Sequence, residues 1–214
     1  MPFRNDVREY RTMPIMGRPE ERQLQLIDSD YYVEGFATTF NQPYLLWDDG
    51  ETQFWEQIDS KAFDNTDMTD VIFLHNHEGI CMARTKMREG VNPTLILQPQ
   101  AYGLFIAADL GMREEGRNEY RAITGGLVYQ MSFAFTVRED AYTEKTPNTI
   151  LRTIKDVRKV YDVSSVDMPA NPNTVIDGAT RSAFEGYIGR REQERLKAEA
   201  RERQRRRIKI LMEV

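Results

Sequence analysis

The sequence predicts a β-rich α+β fold, with a closed β-barrel or sandwich core, one or two helices and a charged helical C-terminal tail. Three observations predict it. Short runs in which polar and apolar residues alternate recur along the first 180 residues, separated by Gly, Pro and Asn. The regular strand–helix alternation of a doubly wound parallel sheet is missing. The last 34 residues change character: Arg181 to Val214 hold 11 basic and 6 acidic residues, against 18 and 28 in the rest of the chain. The two parts therefore carry +5 and −10 and together give the net charge of −5. Three segments are expected: an irregular N-terminal arm over 1–20, a barrel body over 21–180 and a charged helical or flexible tail over 181–214.

Element by element, the arm is polar and holds Pro2, Pro14 and Pro19. Gln23-Leu24-Gln25-Leu26 alternates and predicts a strand, and Tyr32 to Phe40 predicts a second, ended by Asn41-Gln42-Pro43. Phe54 to Ile58 follows as a strand, and Ser60 is suited to cap a helical turn from Lys61 to Asn65. Val71 to Leu74 is an apolar run opening into His75-Asn76-His77-Glu78-Gly79. Cys81 to Met87, Thr94 to Leu97 and Tyr102 to Ala108 are further short strands. Glu114 to Thr124 is the best helix in the body, stopped by Gly125-Gly126. Tyr129 to Val137, Ile150 to Ile154 and Lys159 to Val166 complete the strands, and Pro169-Ala170-Asn171-Pro172 closes the body. From Arg191 onward strong helix formers run without Gly or Pro. That tail reads as a charged extension or as a tether for an acidic partner. Nucleic-acid binding is disfavoured, because no aromatic residue interleaves with Arg205-Arg206-Arg207.

Composition narrows the function classes. Among 214 residues, 40% are hydrophobic and 29% charged, enough to pack a core and too apolar for global disorder. The single cysteine, Cys81, precludes an intrachain disulfide and fits a reducing compartment. No run approaches the roughly 18 apolar residues of a membrane span. No apolar h-region of a secretory signal opens the sequence. Walker, dinucleotide-binding and CxxC patterns are missing.

Three stretches could carry chemistry. The only two histidines, His75 and His77, sit two apart at the end of an apolar run, and on a strand they would share a face. They serve either as ordinary strand-end residues or, with Cys81, as the start of a metal site, although no further His or Cys completes it. On Tyr129 to Val137, residues Met131, Phe133, Phe135 and Val137 form a core face, which leaves Ser132 opposite on a stiff element able to fix a rotamer. In Lys159 to Val166, Asp162 interrupts a β-branched run, where aspartate is disfavoured and needs a partner. On a regular strand it would share a face with Val160, Ser164 and Val166, with Asp167 opposite. A histidine on a neighbouring strand is the natural partner, because a carboxylate orients imidazole for acyl transfer.

Taken in order, NHE (76–78), SFAF (132–135) and VSSVDMPANP (163–172) resemble the prohead (capsid maturation) serine proteases of tailed bacteriophages. VEGFATTFNQPY and IDSKAFDNTD add to this resemblance, which runs from Asp28 to Ile176. It implies a β-barrel surrounded by helices, as in the herpesvirus assemblins. It also implies endopeptidase cleavage of scaffold and capsid precursor segments, and of the protease itself, inside the procapsid in the host cytoplasm. His77 matches the family's NH[DE] histidine and Ser132 the serine of its SFxF motif. Asp162 matches the acid opening an EVS-like stretch, here with Asp in place of Glu. Asp167 competes for that role, and His75 is a further candidate because assemblins use a second histidine. The expected partner is the major capsid protein precursor or scaffold protein, with no cofactor, metal, membrane or nucleic acid; a homo-oligomer is compatible. The competing classes are a non-enzymatic capsid or scaffold module and a His/Cys metal-binding protein.

Overall fold

The computed structural model describes residues 8–13, 16–17, 25–48, 50–167 and 178–212. Its strands are β1 (Glu9–Met13), β2 (Met16–Gly17), β3 (Tyr32–Thr39), β4 (Tyr44–Asp48), β5 (Gln53–Ile58), β6 (Ile72–His75), β7 (Glu78–Arg84), β8 (Leu95–Pro99), β9 (Gly103–Asp109), β10 (Gln130–Thr146) and β11 (Thr149–Val166). The helices are α1 (Glu114–Thr124) and α2 (Gly178–Met212). The class is β-rich α+β. One sheet has seven strands, in the order β1-β10-β11-β5-β4, with β6 on β11 and β7 on β6; the other has the order β2-β3-β9-β8. A barrel has no free edge. Among the described residues these ladders end at edge strands, so the closed barrel expected from sequence is not found. Short strands at close spacing are common to barrels and open sheets, and spacing alone says nothing about closure.

Both sheets feed one apolar core. Val33 and Ala37 of β3 and Leu104 and Ile106 of β9 meet Met131, Phe133, Phe135 and Val137 of β10 and Ile154, Val157, Val160 and Val163 of β11. The alternation read from β10 is therefore the core face, and the Phe133 and Phe135 rings stack at 4.5 Å. β10 and β11 form one long antiparallel hairpin. β11 has two successive parallel neighbours on its other side: β5 against Thr149 to Ile154, and β6 against Asp162 to Ser165.

Several local expectations need correction. The arm over 1–20 contributes two strands, β1 on β10 and β2 on β3. Hydrophobic periodicity misses β1 because its inward side chains are charged. The Arg11 Nε donates to Glu56 Oε1 at 2.5 Å, and its Nη2 to Glu9 Oε2 at 2.6 Å. Arg152 donates to Glu9, Glu56 and Asp140 at 2.6–2.8 Å. Burial alone would push the fully enclosed Glu56 carboxyl up; Arg11 and Arg152 outweigh this and hold it down, to about 2. Gln25 and Leu26 lie in irregular backbone, while Gln23 and Leu24 fall outside the described residues, as does the Pro169–Pro172 turn. β4 was not anticipated, and Ile150 to Ile154 and Lys159 to Val166 belong to one strand. The turn after β5 is capped by Asp59, whose Oδ1 accepts from Lys61 N at 3.0 Å, not by Ser60.

The tail is helical over α2. Its Tyr187 packs with Phe54 and Ile150, and the Tyr187 hydroxyl donates to Glu144 at 2.6 Å. Arg190 covers the Tyr142 ring at 4.5 Å. Side chains from Arg191 to Arg205 are exposed. Among the described residues no helix is long and apolar enough to cross a membrane.

Candidate active site

Ser132 lies near the start of β10, on the face opposite the core. Across the β10–β11 ladder it faces Ser164, and Ala134 faces Asp162, but Phe135 faces Val160. Tyr161 is therefore an extra residue in β11, a one-residue bulge. Residues directly opposed across a ladder share a face. Asp162 and Ser164 thus join Ser132 on one face, while Val160 and Val163 both stay in the core. On a regular strand Asp162 would sit on the face of Val160; the bulge reverses that expectation and brings the carboxylate to the serine's side.

His77 arrives from the β6–β7 hairpin. β6 ends at His75, and the next two residues turn with left-handed backbone, Asn76 at φ 50° and His77 at φ 61°. Asn and His are among the side chains that tolerate this region. The turn also sends the two histidines to different partners, so they do not share a face as strand residues two apart would. Asn76 N donates to Ser165 O at 2.9 Å. Its side chain and Asp167 exchange hydrogen bonds, Nδ2 to Oδ2 at 3.0 Å and Asp167 N to Oδ1 at 3.2 Å.

Ser132, His77 and Asp162 meet. The His77 Nε2 is 2.6 Å from Ser132 Oγ, and its Nδ1 is 2.5 Å from Asp162 Oδ1. A carboxylate can only accept. Nδ1 therefore donates to Asp162, and in the neutral ring Nε2 faces the serine hydroxyl with its lone pair. Ser164 donates to Asp162 Oδ1 at 2.9 Å and lies 3.2 Å from Nδ1, completing the carboxylate's surroundings. The Tyr10 ring from β1 meets the imidazole edge-on at 4.6 Å. Ser132 is 1% exposed and Asp162 5%, so both act away from bulk water, where electrostatic interactions are strong. Such an arrangement is able to move a proton from hydroxyl to imidazole while a buried carboxylate stabilises the resulting cation.

The other candidates lie elsewhere. Asp167 approaches His75, Oδ2 to Nε2 at 3.2 Å, and Glu119 of α1 lies 3.2 Å from His75 Nδ1. Ser165 donates to the same Glu119 oxygen at 2.5 Å. Cys81 donates to Ala83 O at 3.2 Å, and burial pushes its thiol pKa up. Among the described residues no group of three His, Cys, Asp or Glu is arranged to hold a metal ion.

Sequence reasoning missed Tyr10, Asn76 and Ser164. Ser164 was reachable, since it lies two residues beyond Asp162 on the same strand. An Asn at a strand end also signals a left-handed turn. Tyr10 had no local signal, because its position depends on the pairing of β1 with β10.

No curated protein and no solved structure matches the chain. The family model of the caudovirus prohead serine proteases matches residues 20–187 of the 214, which takes in all three meeting residues. By that match, the chain belongs to the caudovirus prohead serine protease family.

Proposed function

We propose that the protein is a serine endopeptidase that cleaves scaffold and capsid precursor segments, and its own chain, during prohead maturation. It would work inside the procapsid in the host cytoplasm, with residues 21–180 as the protease unit and 181–214 as a tether to scaffold. Family membership supports the reaction class. The observation that carries the residue roles is the approach of His77 Nε2 to Ser132 Oγ at 2.6 Å, with Asp162 at 2.5 Å behind the ring.

In this reading Ser132 Oγ attacks the scissile carbonyl carbon as His77 Nε2 takes the hydroxyl proton. Asp162 orients the ring through Nδ1–H and stabilises the imidazolium. His77 then gives its proton to the departing amine, the C–N bond breaks and an acyl-serine remains. Water attacks that ester, with His77 taking the water's proton and returning one to Ser132. The mechanism calls on no metal or cofactor.

The test is Ser132→Ala, assayed on capsid precursor and on the protein's own processing. Cleavage should fall to background while the melting temperature stays within a few degrees, because a small buried hydroxyl is lost without a cavity. Wild-type cleavage by Ser132→Ala would remove the nucleophile assignment.

A further inference from the structure

On the serine's side of the sheet, beside the imidazole, is a cavity of about 350 Å³ whose wall includes both His77 and Asp162. Tyr10, Ile72, Leu74 and Tyr161 supply its apolar and aromatic surface, and Arg8, Arg84 and Lys159 its cations. The wall holds two carboxylates, and both are engaged. Asp162 is held by His77 and Ser164. Asp70 is bridged by two bonds from Arg84, at 2.7 and 2.8 Å. Lys159 has its own partner in Asp67 at 2.8 Å. Arg8 differs: its guanidinium stacks 3.9 Å over the Tyr161 ring, and among the described residues it has no carboxylate partner.

An arginine stacked on an aromatic face keeps its planar fork available for bidentate carboxylate recognition. Tyr161, the platform for that fork, is the bulged residue, so the distortion that brings Asp162 to the serine also presents the ring under Arg8. Residues 1–180 carry a net −10, which disfavours anions over most of the surface, so a cation with no carboxylate partner among the described residues marks a local place for an anionic group.

We infer that this cavity is a substrate subsite for an acidic side chain, Asp or Glu, of the cleaved peptide, with Arg8 as its ionic partner and Tyr10, Ile72 and Leu74 against the methylenes. The inference rests on the protease reading and adds a sequence preference to it.

The experiment uses the full-length protein on synthetic random-sequence peptides, with cleavage sites read by mass spectrometry and Ser132→Ala as the background. Wild-type sites should be enriched in Asp and Glu at one fixed position relative to the scissile bond. For a matched pair of peptides with Glu or Gln at that position, the ratio of kcat/KM values should fall about tenfold or more in Arg8→Gln, the size of a lost charge-assisted bond. Arg8→Lys should retain part of the ratio. Wild-type cleavage without acidic enrichment, or a ratio unchanged in Arg8→Gln, overturns the subsite and leaves the protease reading standing. No cleavage above the Ser132→Ala background overturns both.

Discussion

Replacing Asp162 by asparagine tests the arrangement at its most informative atom. The carboxylate oxygen that faces His77 Nδ1 at 2.5 Å also accepts the Ser164 hydroxyl at 2.9 Å. An amide has one oxygen and one NH2 group to meet these partners. If the oxygen stays with Ser164, the NH2 faces Nδ1, the ring takes the other tautomer, and Nε2–H points at Ser132. If the oxygen stays with Nδ1, the imidazolium formed during attack has no counter-charge in a site where Asp162 is 5% exposed. Either outcome should cost about 10³–10⁴ in kcat, or about 4–5.5 kcal/mol of barrier, with KM little changed. Asp167→Asn is the control. Its carboxylate lies 3.2 Å from His75, not His77, and its side chain is 57% exposed. That variant should stay within about a factor of five of wild type, as expected for an exposed pair. The assay is steady-state cleavage of a peptide spanning a mapped processing site. An Asp162→Asn rate within tenfold of wild type, or a larger loss in Asp167→Asn, refutes the assignment.

Four more outcomes rest on the geometry. Glu56 is held down from 4.5 to about 2, so its charge contributes stability that is present above pH 4.5 and is lost as the pH falls toward 2; Glu56→Gln should lower stability at neutral pH by about 3–5 kcal/mol. Melting curves should then show a shallower acid decline for the variant, and an unchanged slope would separate Glu56 from acid unfolding. Asn76→Gly suits the φ of 50° but removes the exchange with Asp167, whereas Asn76→Ala adds backbone strain of about 1 kcal/mol. Both should lose kcat more than KM, Ala more than Gly, and full activity in the Gly variant would show that the side-chain bonds do not hold the turn. Ending the chain after Arg191 should preserve melting temperature and peptide cleavage, because the contacts of Tyr187, Arg190 and Arg191 with the body remain. Tyr187→Ala should cost about 2 kcal/mol from lost burial and the hydroxyl bond, and no shift in melting would argue that the helix is not docked.

What could be read in the sequence depended on how local the signal was. α1 was legible to the residue, because an acidic first turn opens the segment and Gly125-Gly126 directly follows its last residue. β10 was legible because its core residues alternate strictly. β11 was split in two because its valines, Val157, Val160 and Val163, recur every third residue, a spacing that suits no regular strand. The register explains it: extra residues at Arg158 and Tyr161 restore the inward direction each time. The same bulge hid the true face of Asp162, although its need for a partner was legible from its chemistry. The choice between His75 and His77 could not be made from spacing, since it depends on two left-handed residues in a row. β1 lay beyond reach, because an arginine and a glutamate point inward only once Glu56 and Arg152 are there to meet them.

The three groups that meet at the imidazole come from positions 55 and 85 residues apart along the chain. On the ribosome His77 emerges first, Ser132 later and Asp162 last, and none has its partner until β6 has docked alongside a completed hairpin. Contacts so distant in sequence form slowly. On the proposed roles, a chain that has not yet emerged past Asp162 therefore lacks a complete hydrolytic centre, and neighbouring polypeptides are safe from it until β11 has paired with β10 and β6. The connectivity of the fold thus acts as a delay on that centre.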